Sequence, residues 1–442
     1  MNVPRMQFQG PLAQRDATAL LALAAFMITA RAPMGFVLLT LGPLVVIAVQ
    51  GLRRHTGLGF GPLWLLLGSM VVGSLLSVLL LHPDLLAAPN SFTTALTVLA
   101  VAAGALLTGR PRQGADRLLD GMYLGLLFHW AVSMVEALSG LKLLPILYPD
   151  ANTNVWVTSH RFYVTSLFPN YNDYSVAMVL LVTILLSKAL FRNAVHPLVR
   201  LGRLLVMATA TFEIAYMGSR GALLALAVMG AAVLVTSIQT VRPGTFGARS
   251  IVLSAVLVAA AVVGLLNAPW LYDNSNAVRV LIAGRIAEMA LANPLEGLFG
   301  WGSYSSYQAA AKSAFGGALM DPHNAMLEVG IWFGLPSLLL YMACWWHVVR
   351  DGLLRRQAGH DWRAVSLMVC VACYPLLGVV PSSTLRYYLV WVFLVAALGR
   401  LAVARREASG SGTAAQEPSN TVTGANDRAI APERPAALRG RV

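Results

Sequence analysis

Three residues combine a reactive side chain with a constraining setting: Arg220, Arg285 and His323. Arg220 sits in Gly218-Ser219-Arg220-Gly221, a tight turn between two apolar runs. The turn holds the guanidinium at a membrane surface, where it either anchors the turn by snorkelling or contacts an anion at headgroup depth. A guanidinium suits phosphate because its planar fork grips two oxygens and stays charged. Arg285 lies in 278–292, which reads as a helix ended by Asn293-Pro294. At about 100° per residue, Val278, Leu281, Ile282, Ile286 and Met289 form one apolar stripe. Arg285 falls inside the stripe and Arg279 at its edge. An arginine facing apolar surroundings needs a counter-charge, either a carboxylate such as Glu288 or a phosphate. His323 follows Asp321-Pro322 and precedes Asn324 and a long apolar run. With Asp321 as N-cap and Pro322 as the first helical residue, His323 enters the first turn. The positive helix end disfavours imidazolium, leaving a neutral ring that either bonds to backbone or accepts a proton near neutral pH. His160, beside Arg161, is a second histidine of this kind.

A polar cluster, Phe168-Pro169-Asn170-Tyr171-Asn172-Asp173-Tyr174, precedes another apolar run. Asn170, Asn172 and Asp173 either cap the following helix or belong to a site. Other chemistries lack support. The chain has no HExxH and no GxxxxGK[ST], and Gly300-Trp301-Gly302 is a glycine pair in a loop. Metal ligation by His323 lacks companions. Cys344, Cys370 and Cys373 all lie in apolar runs. They read as packing residues, because redox chemistry needs an accessible thiolate.

The elements that must position these residues are membrane spans. Of 442 residues, 57% are hydrophobic and only 12% charged, against roughly 25% charged in soluble domains. The expected class is an all-α polytopic membrane protein with about a dozen spans. They fall near 17–30, 32–52, 63–81, 92–108, 118–138, 173–191, 201–217, 221–237, 249–266, 324–349, 364–380 and 387–403. The first run continues into a second, as in a retained span. With the N-terminus cytoplasmic, 24 of the 32 Lys and Arg fall inside and 8 outside, as basic residues retained in the cytoplasm require. That bias explains the net charge of +13 without nucleic acid. The outside eight include Arg161, Arg220, Arg279 and Arg285. Long outer loops at 139–172 and 267–323, the latter between spans 9 and 10, carry the candidate residues within a transmembrane domain, 1–406. The segment 407–442, rich in Ala, Gly, Pro, Ser and Thr, is expected to be a disordered cytoplasmic tail.

These clusters, in this order, resemble the O-antigen ligase and polysaccharide polymerase superfamily. The matching stretches are 168–175, Ser219-Arg220-Gly221, Gly284-Arg285 with Asn293-Pro294 and Gly300-Trp301-Gly302, and Pro322-His323-Asn324 with Glu328 and Gly334. Tyr171 stands where the family usually has proline. The resemblance implies a GT-C-like fold in the bacterial cytoplasmic membrane and a site on its outer face, with no metal or other cofactor. It implies transfer of an oligosaccharide from an undecaprenyl-diphosphate carrier to a sugar hydroxyl. His323 would be general base, Arg220, Arg285 and Arg161 would bind the diphosphate, and Asn324 and Glu328 would support them. The expected product is a polymer, with a chain-length regulator as partner; the alternative is an O-antigen ligase joining glycan to lipid A-core.

Two rivals fit the residues less well. A secondary transporter places charges near the bilayer midplane, whereas the charges of interest here sit in outer loops. Lipid-sugar transferases of the mannosyl or aminoarabinose kind carry carboxylates in the first outer loop, which here is essentially Arg31.

Overall fold

The computed structural model describes residues 11–31, 61–81, 91–107, 111–147, 163–168, 170–191, 196–241, 275–316, 322, 324–355, 357, 361–380 and 389–414. Every regular element among the described residues is a helix. In chain order they are α1 (Pro11–Thr29), α2 (Gly61–Leu76), α3 (Ser91–Leu107), α4 (Pro111–Ser139), α5 (Leu143–Leu147), α6 (Tyr171–Phe191), α7 (Pro197–Met217) and α8 (Arg220–Val241). There follow α9 (Ser275–Ala292), α10 (Pro294–Phe299), α11 (Tyr304–Phe315), α12 (Ala325–His347), α13 (Trp362–Ala372), α14 (Tyr374–Leu377) and α15 (Leu389–Ala414). Five helical stretches are long and apolar enough to cross a membrane: Pro62–Leu81, Arg112–Ser139, Tyr171–Phe191, Arg220–Ser237 and Ala325–Leu354. Shorter apolar helices cover Thr18–Thr29, Thr94–Ala103, Trp362–Ala372 and Leu389–Ala404.

The expected spans at 32–52 and 249–266 lie outside the described residues. The run 364–380 is not one helix: α13 ends at Ala372 and α14 begins at Tyr374. Pro375, within the first turn of α14, lacks the N–H that a continuous helix would need. The 267–323 loop is largely helical, carrying α9, α10 and α11. The chain divides into two units, 1–405 and 406–442. Within the second, residues 406–414 are helical, and the rest of the expected tail lies outside the described residues.

Small residues set the closest helix contacts. Gly121 and Gly125 lie one turn apart on α4 and face α1. A Cβ at Gly121 would stand 2.1 Å from the Ala22 carbonyl oxygen, and one at Gly125 2.5 Å from Thr29 Cβ. In lipid, such close backbone approach is a main source of helix association. The core centres on α15, whose Trp391 packs edge-on against Phe333 (5.9 Å) and Tyr341 (5.4 Å) of α12.

Helix α12 is kinked at Gly334, where φ is +83 and ψ is 169. Pro336 follows and removes a further ladder donor. The kink frees carbonyls for other partners: Trp301 N–H donates to Ile331 O at 2.7 Å. A Cβ at Gly334 would lie 2.0 Å from Leu298 O, and one at Gly300 2.4 Å from Trp332 O. Ser77 Oγ completes the junction by donating to Gly300 O at 2.7 Å. The Gly300-Trp301-Gly302 loop is therefore a lock on the kinked helix.

Charged residues gather at two opposite ends of α4. At its start, Arg400 of α15 bonds Asp116 (2.7 Å) and Asp361 (2.8 Å), while Arg363 bonds Asp120 (3.0 Å). Four of these five residues lie in segments that the charge count assigns to the cytoplasmic side, and the fifth, Asp120, lies one turn beyond Asp116 on α4. Arg400 is only 2% exposed. Arg400→Ala would take from Asp116 its bonded guanidinium and from Asp361 the closer of its two. Breaking a buried pair costs about 3–5 kcal/mol, and Asp361 keeps 40% of its side-chain exposure, so about 2 kcal/mol is expected. A thermal melt in detergent checks it.

Burial alone would raise the Asp361 carboxyl, but Arg400 and the N–H groups of Ala364 and Arg363 outweigh it and hold it below 3.8. A depressed folded-state value stabilises the protein above the unfolded pKa. That contribution is lost as pH falls through the folded value. Acid below about pH 4 should therefore lower the wild-type melting temperature more than that of Asp361→Asn.

Candidate active site

Arg220 opens α8. The preceding helix closes on Gly218 in the left-handed conformation (φ 68), whose N–H donates to Ala215 O at 3.0 Å. Ser219 is buried; its carbonyl accepts from Leu223 N and its hydroxyl donates to Asn172 Oδ1 at 2.9 Å. Arg220 thus stands half-buried at a helix N-terminus, where a cation opposes the helix dipole. The same geometry favours an anion, because dipole and guanidinium then act together.

Asn172 belongs to the first turn of α6. Asn170 caps that turn: its Oδ1 accepts from Asn172 N at 2.7 Å and its carbonyl from Tyr174 N at 3.2 Å. The capping alternative holds for Asn170, whereas Asn172 reaches across to α8. Asp173 is buried in the same turn.

The start of α12 is brought to the same place. Asn324, not Asp321, is its N-cap: Oδ1 accepts from Met326 N (2.9 Å) and Leu327 N (3.2 Å). The helix begins at Ala325, so His323 precedes the cap rather than entering the first turn. Ala325 N–H donates to Gly378 O at 3.1 Å, and a Cβ on Gly378 would stand 2.5 Å from Ala325 Cβ. Two residues on, Val380 lies against α8: a Cβ on Gly221 would be 2.8 Å from Val380 Cγ2. Residues 378–380 thus fasten the helix starts that carry Arg220 and Asn324 to one short strap.

Glu328, one turn into α12, is 1% exposed. Burial, and then the nearby Glu328 charge, push the Tyr307 hydroxyl of α11 up to about 12. Tyr307 also meets Trp301 edge-on at 6.2 Å. Nothing in its sequence setting marks Tyr307.

Arg285 is placed differently from the sequence expectation. Ile282, Ile286 and Met289 are buried, but Leu281 and Arg285 are exposed, Arg285 to 44%. The buried stripe is narrower than the apolar pattern, and Arg285 lies at its rim. Of the two counter-charges open to it, Glu288 is present at 3.0 Å. Its guanidinium also covers the Phe315 ring at 5.1 Å. Phe315 ends α11, which also carries Tyr307 about 12 Å away along its axis at 1.5 Å per residue. Arg285→Ala should therefore reduce any anion-dependent activity less than Arg220→Ala does, measured side by side in one membrane preparation. His323, Asp321, Arg161 and His160 lie outside the described residues, as does the Arg279 side chain on α9. Among the described residues no His, Cys, Asp and Glu group fits a metal.

Behind the site is a polar layer whose roles were not read from sequence. Tyr174 hydroxyl bonds Glu213 Oε2 and Ser133 Oγ, both at 2.6 Å, and Ser133 bonds Glu213 Oε1 at 3.0 Å. His129 bonds Ser166 Oγ (2.9 Å) and Thr29 O (2.7 Å). Glu136, Glu213 and His129 inside apolar runs were the signal, since intramembrane ionisable groups are costly and pair with one another.

Fold and site together define a helical membrane protein with polar chemistry gathered at one end of its bundle. Residues 204–342 match the family model described as O-antigen ligase, which supports the O-antigen ligase and polymerase superfamily. The matched stretch contains Arg220, Arg285, His323, Asn324 and Glu328. Members are glycosyltransferase-like ligases and polymerases, and the family implies lipid-linked glycan substrates in a membrane setting. No curated protein matches the chain.

Proposed function

We propose that this protein is a metal-independent membrane glycosyltransferase with a GT-C-like fold. It moves an oligosaccharide from an undecaprenyl-diphosphate carrier to a sugar hydroxyl at the outer face of the cytoplasmic membrane, both termini being cytoplasmic. The observation that carries this reading is the strap at 378–380, which joins the starts of α8 and α12. Through it Arg220 shares one end of the bundle with the residue that follows His323.

In the reaction, the acceptor oxygen forms a bond to the anomeric carbon as the C–O bond to the diphosphate breaks. The electron pair leaves with the diphosphate. Arg220 at its helix N-terminus receives that charge, joined by Arg161. Arg285 joins by exchanging Glu288 for phosphate, and Arg279 lies on the same helix. His323 takes the proton from the attacking hydroxyl. Asn172 holds Ser219, with Asn170 capping its turn and Asp173 beside it, while Asn324 caps the start of α12 and Glu328 supports it one turn on. Direct attack inverts the anomeric centre.

The preferred product is a polymer, as for O-antigen, capsule or exopolysaccharide, made alongside a chain-length regulator. The family description favours a second reading, ligation to lipid A-core. Liposomes carrying the purified protein, given undecaprenyl-diphosphate-linked oligosaccharide alone, should elongate it. Elongation that survives EDTA supports the polymerase. Transfer that appears only when lipid A-core is added would select the ligase, and no transfer with either acceptor would contradict both.

A further inference from the structure

We propose that Glu136 is a positioning residue of the transfer site; this rests on Arg220 receiving the diphosphate. Glu136 lies in the last turn of α4 and has no exposed surface. Its Oε1 accepts from Leu143 N at 3.0 Å, and its Oε2 from Thr165 N at 2.9 Å and Ser166 N at 2.8 Å. One carboxylate therefore pins the chain at both ends of 143–165. Lys142 lies close by: burial lowers its ammonium, while the Glu136 charge raises it. Three N–H donors on one carboxylate use most of its acceptor capacity, so its geometry is fixed.

The segment held this way is strained. Ser166 has φ +51, a left-handed conformation that costs a non-glycine residue about 1–2 kcal/mol. Such strain persists where the surroundings over-determine it. Here Glu136 takes the Ser166 N–H, His129 Nδ1 meets the Ser166 hydroxyl at 2.9 Å, and Arg31 donates to Leu167 O. Beyond Ser166, Phe168 packs on His129 with ring centroids 4.4 Å apart. Tyr163 stacks on Tyr171 at 5.0 Å. The chain then reaches Asn170, which sets Asn172, which accepts from Ser219 beside Arg220.

A continuous set of contacts thus runs from a buried carboxylate to the guanidinium. Removing Glu136 leaves the helices docked, because Glu213, Tyr174 and Ser133 join α7, α6 and α4 independently. What loosens is the backbone at 165–172 and, with it, the placement of Arg220. A misplacement of about 1 Å can cost 10²-fold in rate.

The test measures kcat and KM per folded molecule for wild type, Glu136→Ala, Glu136→Gln, Arg220→Ala and the Glu136→Ala/Arg220→Ala double variant. All are reconstituted in liposomes with undecaprenyl-diphosphate-linked oligosaccharide. Glu136→Ala should lose about 10²-fold in kcat with the acceptor KM within about threefold. Glu136→Gln keeps one accepting oxygen and should lose about tenfold; it carries the test if the alanine variant does not fold. The double variant should be no slower than Arg220→Ala alone, because both changes remove one effect. Wild-type kcat in a folded Glu136→Ala or Glu136→Gln overturns the proposal, as does a double variant whose losses simply multiply. A fully active Arg220→Ala would instead overturn the reading on which the proposal rests.

Discussion

Replacing His323 with alanine should abolish transfer and leave the protein folded and inserted. A positioned general base contributes about 10²–10⁴ in rate, and without it the acceptor hydroxyl has no partner for its proton. The variant should fold because the residues around position 323 hold themselves. Asn324 caps α12 through its own side chain, and Ala325 N–H bonds Gly378 O. The wild-type rate should fall with acid as the imidazole protonates and can no longer accept a proton. The residual rate of His323→Ala should lack that limb. The check is initial rate against pH for both proteins at matched folded amounts. Full activity in the variant would remove His323 from the mechanism.

Replacing Arg220 with alanine is the second large effect. A preorganised donor to developing charge is worth about 10²–10³ in kcat, roughly 2.7–4 kcal/mol. Arg220 has the helix N-terminus behind it, and the Ser219–Asn172 bond at 2.9 Å fixes the turn. Arg220→Lys should fall between wild type and alanine. It keeps a charge but loses the fork that binds two phosphate oxygens together. Initial rates at saturating donor check the order: wild type, lysine, alanine. Equal rates for lysine and alanine would say that the fork, not the charge, is what matters.

Much of the fold was legible because membrane spans announce themselves in composition. The runs at 63–81, 118–138, 173–191, 221–237 and 324–349 correspond to the five long apolar helices. The charge count also separated two groups that the structure gathers at opposite ends of α4: Arg112, Arg363 and Arg400 at one, Arg31 and the Asn170–Arg220 cluster at the other. The break at Cys373 and the kink at Gly334 were not legible as such. Composition sees a run of apolar residues, whereas one proline or glycine decides where its ladder of hydrogen bonds stops.

The site was legible where chemistry forced unusual residues on the chain, and illegible where geometry chose among ordinary ones. Arg220 stood out because it defied the charge bias. Arg285 stood out for the same reason, yet the periodicity argument put it deeper than it lies. Burial on α9 is decided by what packs against that helix, and only Ile282, Ile286 and Met289 are covered. The choice of cap failed similarly. Asp321-Pro322 is a good start signal, but Asn324 is as good a cap, and Gly378 stands opposite Ala325 to receive the first N–H. Glu136 illustrates the other limit: its three N–H partners are 7, 29 and 30 residues away, a pairing no local pattern encodes.

The central claim is that Arg220 binds the leaving diphosphate while His323 handles the proton. The most direct measurement is equilibrium binding of undecaprenyl diphosphate oligosaccharide to protein in lipid nanodiscs, for wild type, Arg220→Ala and His323→Ala. Binding should weaken about tenfold or more in Arg220→Ala, as expected when a charge-assisted pair worth about 1.5–3 kcal/mol is lost, and stay at the wild-type level in His323→Ala. Undiminished binding by Arg220→Ala would contradict the account.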